Sequence, residues 1–298
     1  MRIVSTDTPD TDLLSGFYNQ QVAPIPYCLP VTPEEFTAGQ ILPPQKRLSN
    51  ERFFIAQEKD ALLGFAHVGI HTTSRNGEKE KKGVVRFFCY LPAQRPIGQA
   101  LLEAYENYLM PHGITQLTAF QGGYGYSFYN AGRENLADRF THVLSLLGTN
   151  EYTHSHRMLL MDRRNLTPAE PHTPDASGEV SVKQQNGKGL RPNLMVELFI
   201  EGRQVGVCQS ESLGQYLRAS AAQDIYYVGG LGIDPQFQFQ GWGKYLLHRT
   251  HWEMAQLGYK HAIIGTEQDN YRALLFYLND GYRVLFTDYG FKKTVQSE

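Results

Sequence analysis

The spacing of apolar and polar positions predicts strands and helices along the whole chain. Short runs rich in β-branched and aromatic side chains predict strands, and apolar positions three or four residues apart predict helices. In the first half the predicted strands are 2–6, 52–57, 61–72, 84–91, 114–120 and 151–161. The predicted helices of this half are 12–21, 32–42, 97–113 and 133–147. The charged segment 74–83 predicts a solvated hairpin between two strands.

The second half repeats much of this pattern. Its predicted strands are 179–183, 194–200, 204–209, 225–233 and 261–266, and its predicted helices are 241–257 and 270–279, followed by a final hairpin. Between the halves lies RNLTPAEPHTPDAS, whose three prolines deny it helical and ladder hydrogen bonds. We therefore expect an N-terminal domain over 1–163, a linker over 164–177 and a C-terminal domain over 178–298.

Glycines occur at matching places in both halves, displaced by roughly 140 residues. The matched pairs are Gly64 with Gly206, Gly98 with Gly241, Gly113 with Gly258, and Gly148 with Gly281. This pattern predicts a duplicated α/β domain, in which each copy is a twisted mixed sheet flanked by helices. The copies differ after their first strand, where the first has two helices and the second has only the polar loop 184–193.

Length and charge narrow the class of protein. The 298 residues suffice for two domains of about 150 residues each. Lys and Arg number 28 against 30 Asp and Glu, so there is no basic field to hold a nucleic acid, which we exclude as a main partner. The N-terminus lacks the basic-then-apolar order of a secretory signal, and no segment approaches the ~18 apolar residues of a membrane span. We expect a cytoplasmic protein with no membrane partner.

The sequence carries no metal or hydrolase motif. Cys28, Cys89 and Cys208 are far apart and in no C-x-x-C spacing, which argues against disulfides and against a cysteine zinc site. His248 and His251 share a predicted helix but form no H-E-x-x-H motif. There is no G-x-S-x-G nucleophile elbow. We therefore expect no bound metal and no serine hydrolase chemistry.

The most informative stretch is 225–247, IYYVGGLGIDPQFQFQGWGKYLL, an apolar strand that turns at Asp234 directly into a helix. Such a junction points several backbone N–H groups into one space, where the helix dipole adds partial positive charge. Gly241 and Gly243 keep side chains away from a diphosphate held there. The alternative for these glycines is a tight turn with close helix packing.

Three further glycines, Gly229, Gly230 and Gly232, lie within the strand that precedes this anion cradle. Glycines inside a strand usually mark a bulge or a close backbone approach. The alternative is a flexible, weak strand.

Two motifs then suggest a family. Gln238-x-x-Gly241-x-Gly243 follows the strand, and Asn270-x-x-Ala273-x-x-x-Tyr277-x-x-x-Gly281-Tyr282 follows the next strand. Together they resemble the acyl-CoA-binding and C-terminal motifs of the GNAT superfamily of N-acyltransferases. The resemblance covers 178–298 and, more weakly, 1–163, where 95–100, RPIGQA, is similar to the same cradle pattern. The chain thus resembles tandem GNAT proteins, in a layout similar to that of mycothiol synthase.

The resemblance implies acetyl-CoA as acyl donor and a small amine as acceptor. The N–H groups of Leu231, Gly232 and Ile233 would stabilise the oxyanion of the tetrahedral intermediate. The implied cofactor-binding residues also include Gln238, Phe239, Gln240, Gly241, Trp242, Gly243, Lys244, Asn270 and Arg272. Because Phe239 and Gln240 are neutral where the family usually has basic residues, Lys244, Arg249 and Arg272 are the candidate phosphate partners.

The resemblance also assigns catalytic roles. Tyr277 would protonate the departing thiolate of CoA, although the same position suits a core aromatic on an amphipathic helix. Glu267, which follows the predicted strand 261–266, is the candidate general base. The alternative interpretation is that Glu267 is a solvated loop carboxylate. Asp224 falls too early for this role. The first copy has Pro96 inside its cradle and no tyrosine matching Tyr277, so we expect it to be catalytically silent.

Two other functions stay open at this stage. Both copies could be degenerate, which would make the protein a sensor that binds acyl-CoA without turnover. An aminoacyl transferase of similar tandem layout would use charged tRNA, which the near-neutral charge disfavours. A loop at 121–130, QGGYGYSFYN, has the glycine and aromatic content of a flexible recognition loop for the acceptor, or of a plain surface loop.

Overall fold

The structure, a computed structural model, describes residues 1–75, 78–175 and 177–295. These residues form two units, the first comprising 1–158 with 286–298 and the second 159–285. The division differs from the domains expected from the sequence, because the last residues of the chain belong to the first unit. None of the described helices is long and apolar enough to cross a membrane.

Thirteen strands and seven α-helices alternate along the described chain. The strands are β1 (Arg2–Thr6), β2 (Ser49–Glu58), β3 (Ala61–Arg75), β4 (Glu78–Tyr90), β5 (Gln116–Ala119), β6 (Leu136–Ala137), β7 (Thr153–Arg163), β8 (Gly178–Gln185), β9 (Asn193–Ile200), β10 (Arg203–Ser212), β11 (Ile225–Ile233), β12 (His261–Glu267) and β13 (Arg283–Thr294). The helices are α1 (Thr11–Val22), α2 (Pro33–Ala38), α3 (Arg95–Leu109), α4 (Thr141–Thr149), α5 (Ser220–Gln223), α6 (Trp242–Gln256) and α7 (Tyr271–Asn279). Residues 76 and 77, at the tip of the predicted hairpin, lie outside the described residues.

In the first unit the strand order is β1-β2-β3-β4-β5-β13. All neighbours are antiparallel except β4 and β5, which pair in parallel. In the second unit the order is β8-β9-β10-β11-β12, again antiparallel except for the last pair. The predicted α/β class with mixed sheets is confirmed.

The two units repeat the same local design. In each, the parallel pair is connected by a helix of 15 residues, α3 or α6, and followed by a helix of nine, α4 or α7. Each also has a β-bulge at the equivalent position of the first strand of its parallel pair. Arg86 in β4 and Gly229 in β11 are the extra residues, each directly after the last valine of its parallel pairing.

Two predicted elements are wrong. The helix expected over 133–147 begins only at Thr141. Before it, Leu136–Ala137 form the short strand β6, which pairs with β13. The buried carboxylate of Asp288 on β13 also accepts hydrogen bonds from the side chains of Asn130, Arg133 and Asn135, which holds this segment out of a helix. The final hairpin is one continuous strand, β13, which pairs with β5 near its end. The helix predicted over 32–42 is confined to α2, where Thr32 and Glu35 form a capping box.

The segment 121–130 is neither a recognition loop nor a plain surface loop. Tyr126, Phe128 and Tyr129 in it are fully buried. Their rings pack against Tyr18, Phe36 and Phe87 of the first unit at centroid distances of 5.1–5.3 Å. Its aromatic residues therefore belong to the core of this unit, where such contacts are worth more than their buried area alone.

Candidate active site

The parallel strands of the second unit separate halfway along their length. β11 pairs with β12 only from Ile225 to Val228, which face 261–264. β11 continues beside β10 until Ile233 faces Gly206. Since N–H and C=O groups alternate in direction along a strand, half of those in 229–233 point to the side that β12 has left. A second extended chain could hydrogen bond there.

The glycines of β11 lie in this separated segment. Gly229 is the bulged residue, and both Gly229 and Gly232 are exposed to solvent. A Cβ atom at Gly232 would meet no atom within 4 Å. The expected bulge is therefore confirmed at Gly229. At Gly232, no contact within the described residues requires glycine.

The turn after β11 leads into the N-terminus of α6. Gly241 caps the helix with φ of +88°, which glycine adopts without strain. The first helical hydrogen bond runs from the N–H of Tyr245 to the carbonyl of Gly241, at 3.0 Å. The N–H groups of 242–244 precede it and have no intrahelical acceptor. A Cβ at Gly243 would lie 3.8 Å from Ile233, so the first helical turn packs beside the end of β11.

Side chains connect this turn to α7. Gln238 donates from Nε2 to the carbonyl of Ile233 at 2.8 Å and accepts at Oε1 from Arg272, also at 2.8 Å. The Arg272 guanidinium lies 4.2 Å from the ring centroid of Phe239, which is 89% exposed. Gln240 donates to the carbonyl of Gln236. Arg272 therefore brings positive charge to the cradle from α7.

The other candidate cations differ. Lys244 is exposed in the first turn of α6 and, within the described chain, has no ion-pair partner. Arg249 lies two turns further along, where it pairs with Glu253 at 2.7 Å and stacks on Trp252. The charge of Arg249 is thus already balanced by Glu253, which leaves Lys244 and Arg272 as the stronger candidates for a phosphate.

Trp242 contributes to the core of the second unit. Its side chain is 2% exposed and packs edge-on against Tyr245, 6.0 Å between centroids. Only its backbone N–H faces the helix terminus. The tryptophan thus anchors the first turn of α6 against the sheet.

Tyr277 is 7% exposed on α7 and lies 5.7 Å from the ring of Tyr282. Burial raises the pKa of its hydroxyl to about 12, so the phenol is neutral at physiological pH. Among the described residues no partner hydrogen bonds to this hydroxyl. Asn270 caps α7 by accepting from the N–H of Ala273 at 3.2 Å, which leaves its amide NH₂ group for a ligand.

Glu267 is the last residue of β12 and is exposed. Its carbonyl accepts from the N–H of Asn270 at 3.1 Å, so it lies one turn before α7. It therefore stands beyond the point where β11 and β12 separate.

One buried carboxylate of this unit was missed from the sequence. Glu197 on β9 is 6% exposed and its Oε2 lies 2.6 Å from Nζ of Lys183. It faces Val207 of β10, which in turn faces Gly232 of β11. Its neighbours Val196 and Leu198 belong to the core cluster that includes α6, so Glu197 points to the opposite face of the sheet. The sequence signal that could have indicated this buried carboxylate is the single charged residue within the otherwise apolar strand NLMVELFI.

A polar network beneath α6 and α7 was also missed. The Asp280 carboxylate pairs with Arg163 at 2.6 Å, with His248, and with His251 at 3.7 Å. His251 also hydrogen bonds to the hydroxyl of Tyr226 at 2.5 Å. Burial raises the pKa of Asp280, but the hydrogen bonds from the two histidines and the charge of Arg163 outweigh it and hold that pKa well below its usual range. The network joins β7, β11, α6 and α7.

The corresponding place in the first unit is a cavity of about 330 Å³ beside Tyr90, Arg95 and His142, in which side chains already bond to the strand end. Tyr90 at the end of β4 donates from its hydroxyl to the carbonyl of His142 on α4, and Nε2 of His142 donates to the carbonyl of Tyr90, both at 2.9 Å. Pro96 occupies the first turn of α3 and supplies no N–H. At the end of β4, the carbonyl of Tyr90 is therefore already bonded to the His142 side chain.

Comparison with known proteins agrees with this geometry. Residues 159–282 match the sequence model of the Acetyltransferase (GNAT) family. No curated protein sequence gives a significant match to the chain. Members of this family use acetyl-CoA in general, and within the described residues no group of three or more His, Cys, Asp or Glu side chains could hold a metal ion.

Solved structures extend the similarity to the whole fold. A tandem GNAT protein from the clavulanic acid biosynthesis pathway has a TM-score of 0.70 at 11% identity, covering 100% of this chain and 99% of that one. A GCN5-related N-acetyltransferase from Sphaerobacter thermophilus has a TM-score of 0.60 at 11% identity, covering 99% and 96%. A glucosamine N-acetyltransferase region of a fungal multi-domain β-N-acetylglucosaminidase has a TM-score of 0.68 at 10% identity, covering 98% of this chain. This chain spans 38% of that fungal protein. The recognition of a tandem GNAT fold is confirmed.

Proposed function

We propose that the second unit transfers an acetyl group from acetyl-CoA to the amine of a small molecule. The observation that carries this proposal is the separation of β11 from β12 after Val228, which exposes a glycine-rich strand edge leading into the α6 N-terminus. A strand edge suits the amide-bearing arm of CoA, and a helix N-terminus suits its diphosphate. Acetyl-CoA is the donor and no metal takes part.

Binding of the donor would use the backbone first. The N–H groups of 242–244 at the start of α6 would bond the diphosphate, with Lys244 and Arg272 supplying the positive charge. Arg272 is held over the exposed ring of Phe239, so it needs little rearrangement. The edge of Leu231–Ile233 would bond the arm and polarise the thioester carbonyl.

Chemistry would proceed by direct attack. The neutral amine forms a bond to the acetyl carbon, the carbon–sulfur bond breaks, the amine loses one proton to a base, and the sulfur gains one from Tyr277. An amine with a pKa near ~10 must first be deprotonated at pH 7. Glu267 is our candidate base. Glu197 is the alternative, because it lies two strands from Gly232 on the sheet face opposite α6.

The test begins with calorimetric titration of acetyl-CoA into the whole chain. Gly243→Glu places a negative charge in the first turn of α6, where it favours the helix but repels a diphosphate. Gly243→Ala is the matched control, because its added methyl lies at an ordinary 3.8 Å from Ile233. We expect one site in the wild type, affinity within about threefold in the alanine variant, and at least tenfold loss in the glutamate variant. Equal affinity in all three proteins would contradict the proposed cradle.

Release of the CoA thiol across a panel of small amines then separates enzyme from sensor. Amine-dependent release that disappears in Gly243→Glu supports transfer by the second unit. Tight binding without release for any amine would leave a catalytically silent acyl-CoA sensor. A second site that survives in Gly243→Glu would show that the first unit also binds the donor.

A further inference from the structure

The first unit contains a cavity of about 430 Å³ that the proposed reaction does not use. Its walls include the start of β2, the middle of β3 and β4, and the loop between α2 and β2. The lining residues with chemical interest are Asp7, Arg47, Glu51, Phe53, His67 and Arg86. The volume is sufficient for a molecule of several non-hydrogen atoms.

Arg86, the bulged residue of β4, lines this cavity and holds the loops around it. Its guanidinium is 1% exposed and donates to three backbone carbonyls, those of Gln40 at 2.6 Å, Tyr124 at 2.7 Å and Gly125 at 3.3 Å. Its Nη1 donates to Glu51 Oε2 at 3.3 Å. Arg86 thus fixes two loops and one carboxylate, and most of its donors are consumed.

Glu51 presents a free oxygen to the cavity. Its Oε2 accepts the hydrogen bond from Arg86 and lies 3.6 Å from Nε2 of His67. Its Oε1 has no partner among the described residues. The side chain is 37% exposed. Burial tends to raise the pKa of Glu51, but His67 and Arg86 outweigh it and lower that pKa, so the carboxylate is charged at neutral pH.

His67 acts here as a neutral support. It is 2% exposed, and burial lowers its pKa to about 4. The hydroxyl of Tyr126 lies 3.1 Å from its Nδ1, so we assign the proton to Nε2, which points at Glu51. Its ring stacks on Phe53 at 3.9 Å between centroids, which gives the cavity a flat apolar wall.

Two charges of opposite sign line the same cavity without a protein partner. Asp7 lies just after β1 and Arg47 just before β2. Within the described chain, neither the Asp7 carboxylate nor the Arg47 guanidinium makes a hydrogen bond or an ion pair; Arg47 bonds only through its backbone N–H, to the carbonyl of Pro44. Beside the buried Arg86, whose donors are mostly consumed, the cavity therefore offers the free Asp7 carboxylate, the second oxygen of Glu51 and the unpaired guanidinium of Arg47. An ammonium group matches the first pair, and a carboxylate matches the guanidinium in bidentate geometry.

We propose that this cavity binds a small zwitterion carrying an ammonium group and a carboxylate, with the ammonium held by Asp7 and Glu51 and the carboxylate by Arg47. Every residue of the site belongs to the first unit, so it goes beyond the proposed transfer reaction and does not depend on it. The first unit then has a binding function of its own.

The test is titration of three matched ligands, 4-aminobutyrate, n-butylamine and butyrate, into the whole chain without acetyl-CoA. Zwitterions of other span, 2-aminobutyrate and 6-aminohexanoate, complete the panel. The variants are Asp7→Asn and Arg47→Gln, both at exposed positions that do not support the fold. Lys59→Gln and Asp60→Asn, in the exposed turn between β2 and β3, are the charge-matched controls.

We expect at least one zwitterion to bind at least tenfold more tightly than the butylamine and the butyrate. Asp7→Asn and Arg47→Gln should each weaken it about tenfold, while the two controls leave the affinity unchanged. Arg47→Gln should also abolish the preference for zwitterion over butylamine. The proposal would be overturned if no zwitterion bound at 10 mM. A Kd of 10 mM corresponds to a binding free energy of about −3 kcal/mol. Equal binding in the variants and the wild type would also overturn the proposal, since the ligand would then occupy another site. Either result leaves acetyl-CoA binding by the second unit untouched.

Discussion

Replacing Tyr277 by phenylalanine isolates one hydroxyl with little effect on the fold. The ring is 7% exposed and packs against Tyr282, and phenylalanine keeps those contacts. No described residue bonds to the hydroxyl, so its loss leaves no partner unsatisfied. We expect the free energy of unfolding to change by less than about 0.5 kcal/mol.

The effect on catalysis follows from the pKa of about 12 that burial gives Tyr277. A free thiol titrates near 8.5, so complete transfer of the proton to the thiolate is uphill by about 3.5 pKa units, or roughly 5 kcal/mol. In the transition state the neutral phenol would therefore act mainly by hydrogen bonding to charge that develops on sulfur, and its proton would pass to the sulfur only as CoA leaves. Such a bond contributes about 1.5–3 kcal/mol, which corresponds to a decrease in kcat of roughly ten- to hundredfold.

The assay is steady-state release of the CoA thiol with the best amine of the panel, together with calorimetric affinity for acetyl-CoA. We expect the affinity to be unchanged and the loss to fall on kcat. Because the pKa of Tyr277 is raised, its neutral form persists up to about pH 11, so its ionisation causes no decrease in rate below that pH. A kcat within twofold of wild type would remove Tyr277 from the mechanism. A decrease in wild-type rate near pH 8–9 that disappears in the variant would refute the assigned pKa.

Three further variants test the fold. Asp280→Asn should cost about 3 kcal/mol in denaturant unfolding at pH 7, because it leaves Arg163 without its carboxylate. Since the pKa of Asp280 is lowered on folding, this difference should be complete above the unfolded value near ~3.9 and shrink as the pH falls below it; a constant difference from pH 7 to pH 3 would contradict the network. Gly241→Ala should cost about 1 kcal/mol by thermal unfolding because of its φ of +88°, and a more stable variant would show that the helix start can relax. Arg86→Lys should cost about 3 kcal/mol, since lysine cannot reach three carbonyls at once, and no loss would mean that the two loops are fixed by other contacts.

Most of the fold was predictable because its elements carry strong local signals. The strand 225–233 agrees residue for residue with β11, and α6 agrees within one residue at each end. The helix that failed has a clear physical cause. Residues 133–140 have helical spacing, but three of the side chains before α4 bond to Asp288, some 150 residues later in the sequence. Periodicity within a short window contains no information about such a partner.

The candidate site was predictable where its chemistry depends on the backbone. Glycine patterns indicate positions where the main chain is approached, and the bulge at Gly229 and the helix cap at Gly241 are of this kind. Side-chain partners were not predictable. The engagement of Arg249 by Glu253 and the burial of Glu197 depend on packing between elements, which local spacing does not encode.

The equivalent bulges of the two units are followed by different kinds of residue. After Val85 the first unit continues with RFFCY, 86–90, whose side chains are all buried, and Arg86 frames the charged cavity. After Val228 the second unit continues with GGLGI, 229–233, whose backbone is open. Large side chains cover both faces of the strand in the first unit, whereas the glycines of the second leave those faces open next to the edge. Converting the strand of one unit into that of the other should therefore require more than one substitution. Gly229→Arg in the second unit would add a charge without the carbonyls that hold Arg86, and we expect loss of acetyl-CoA affinity with no gain in zwitterion binding.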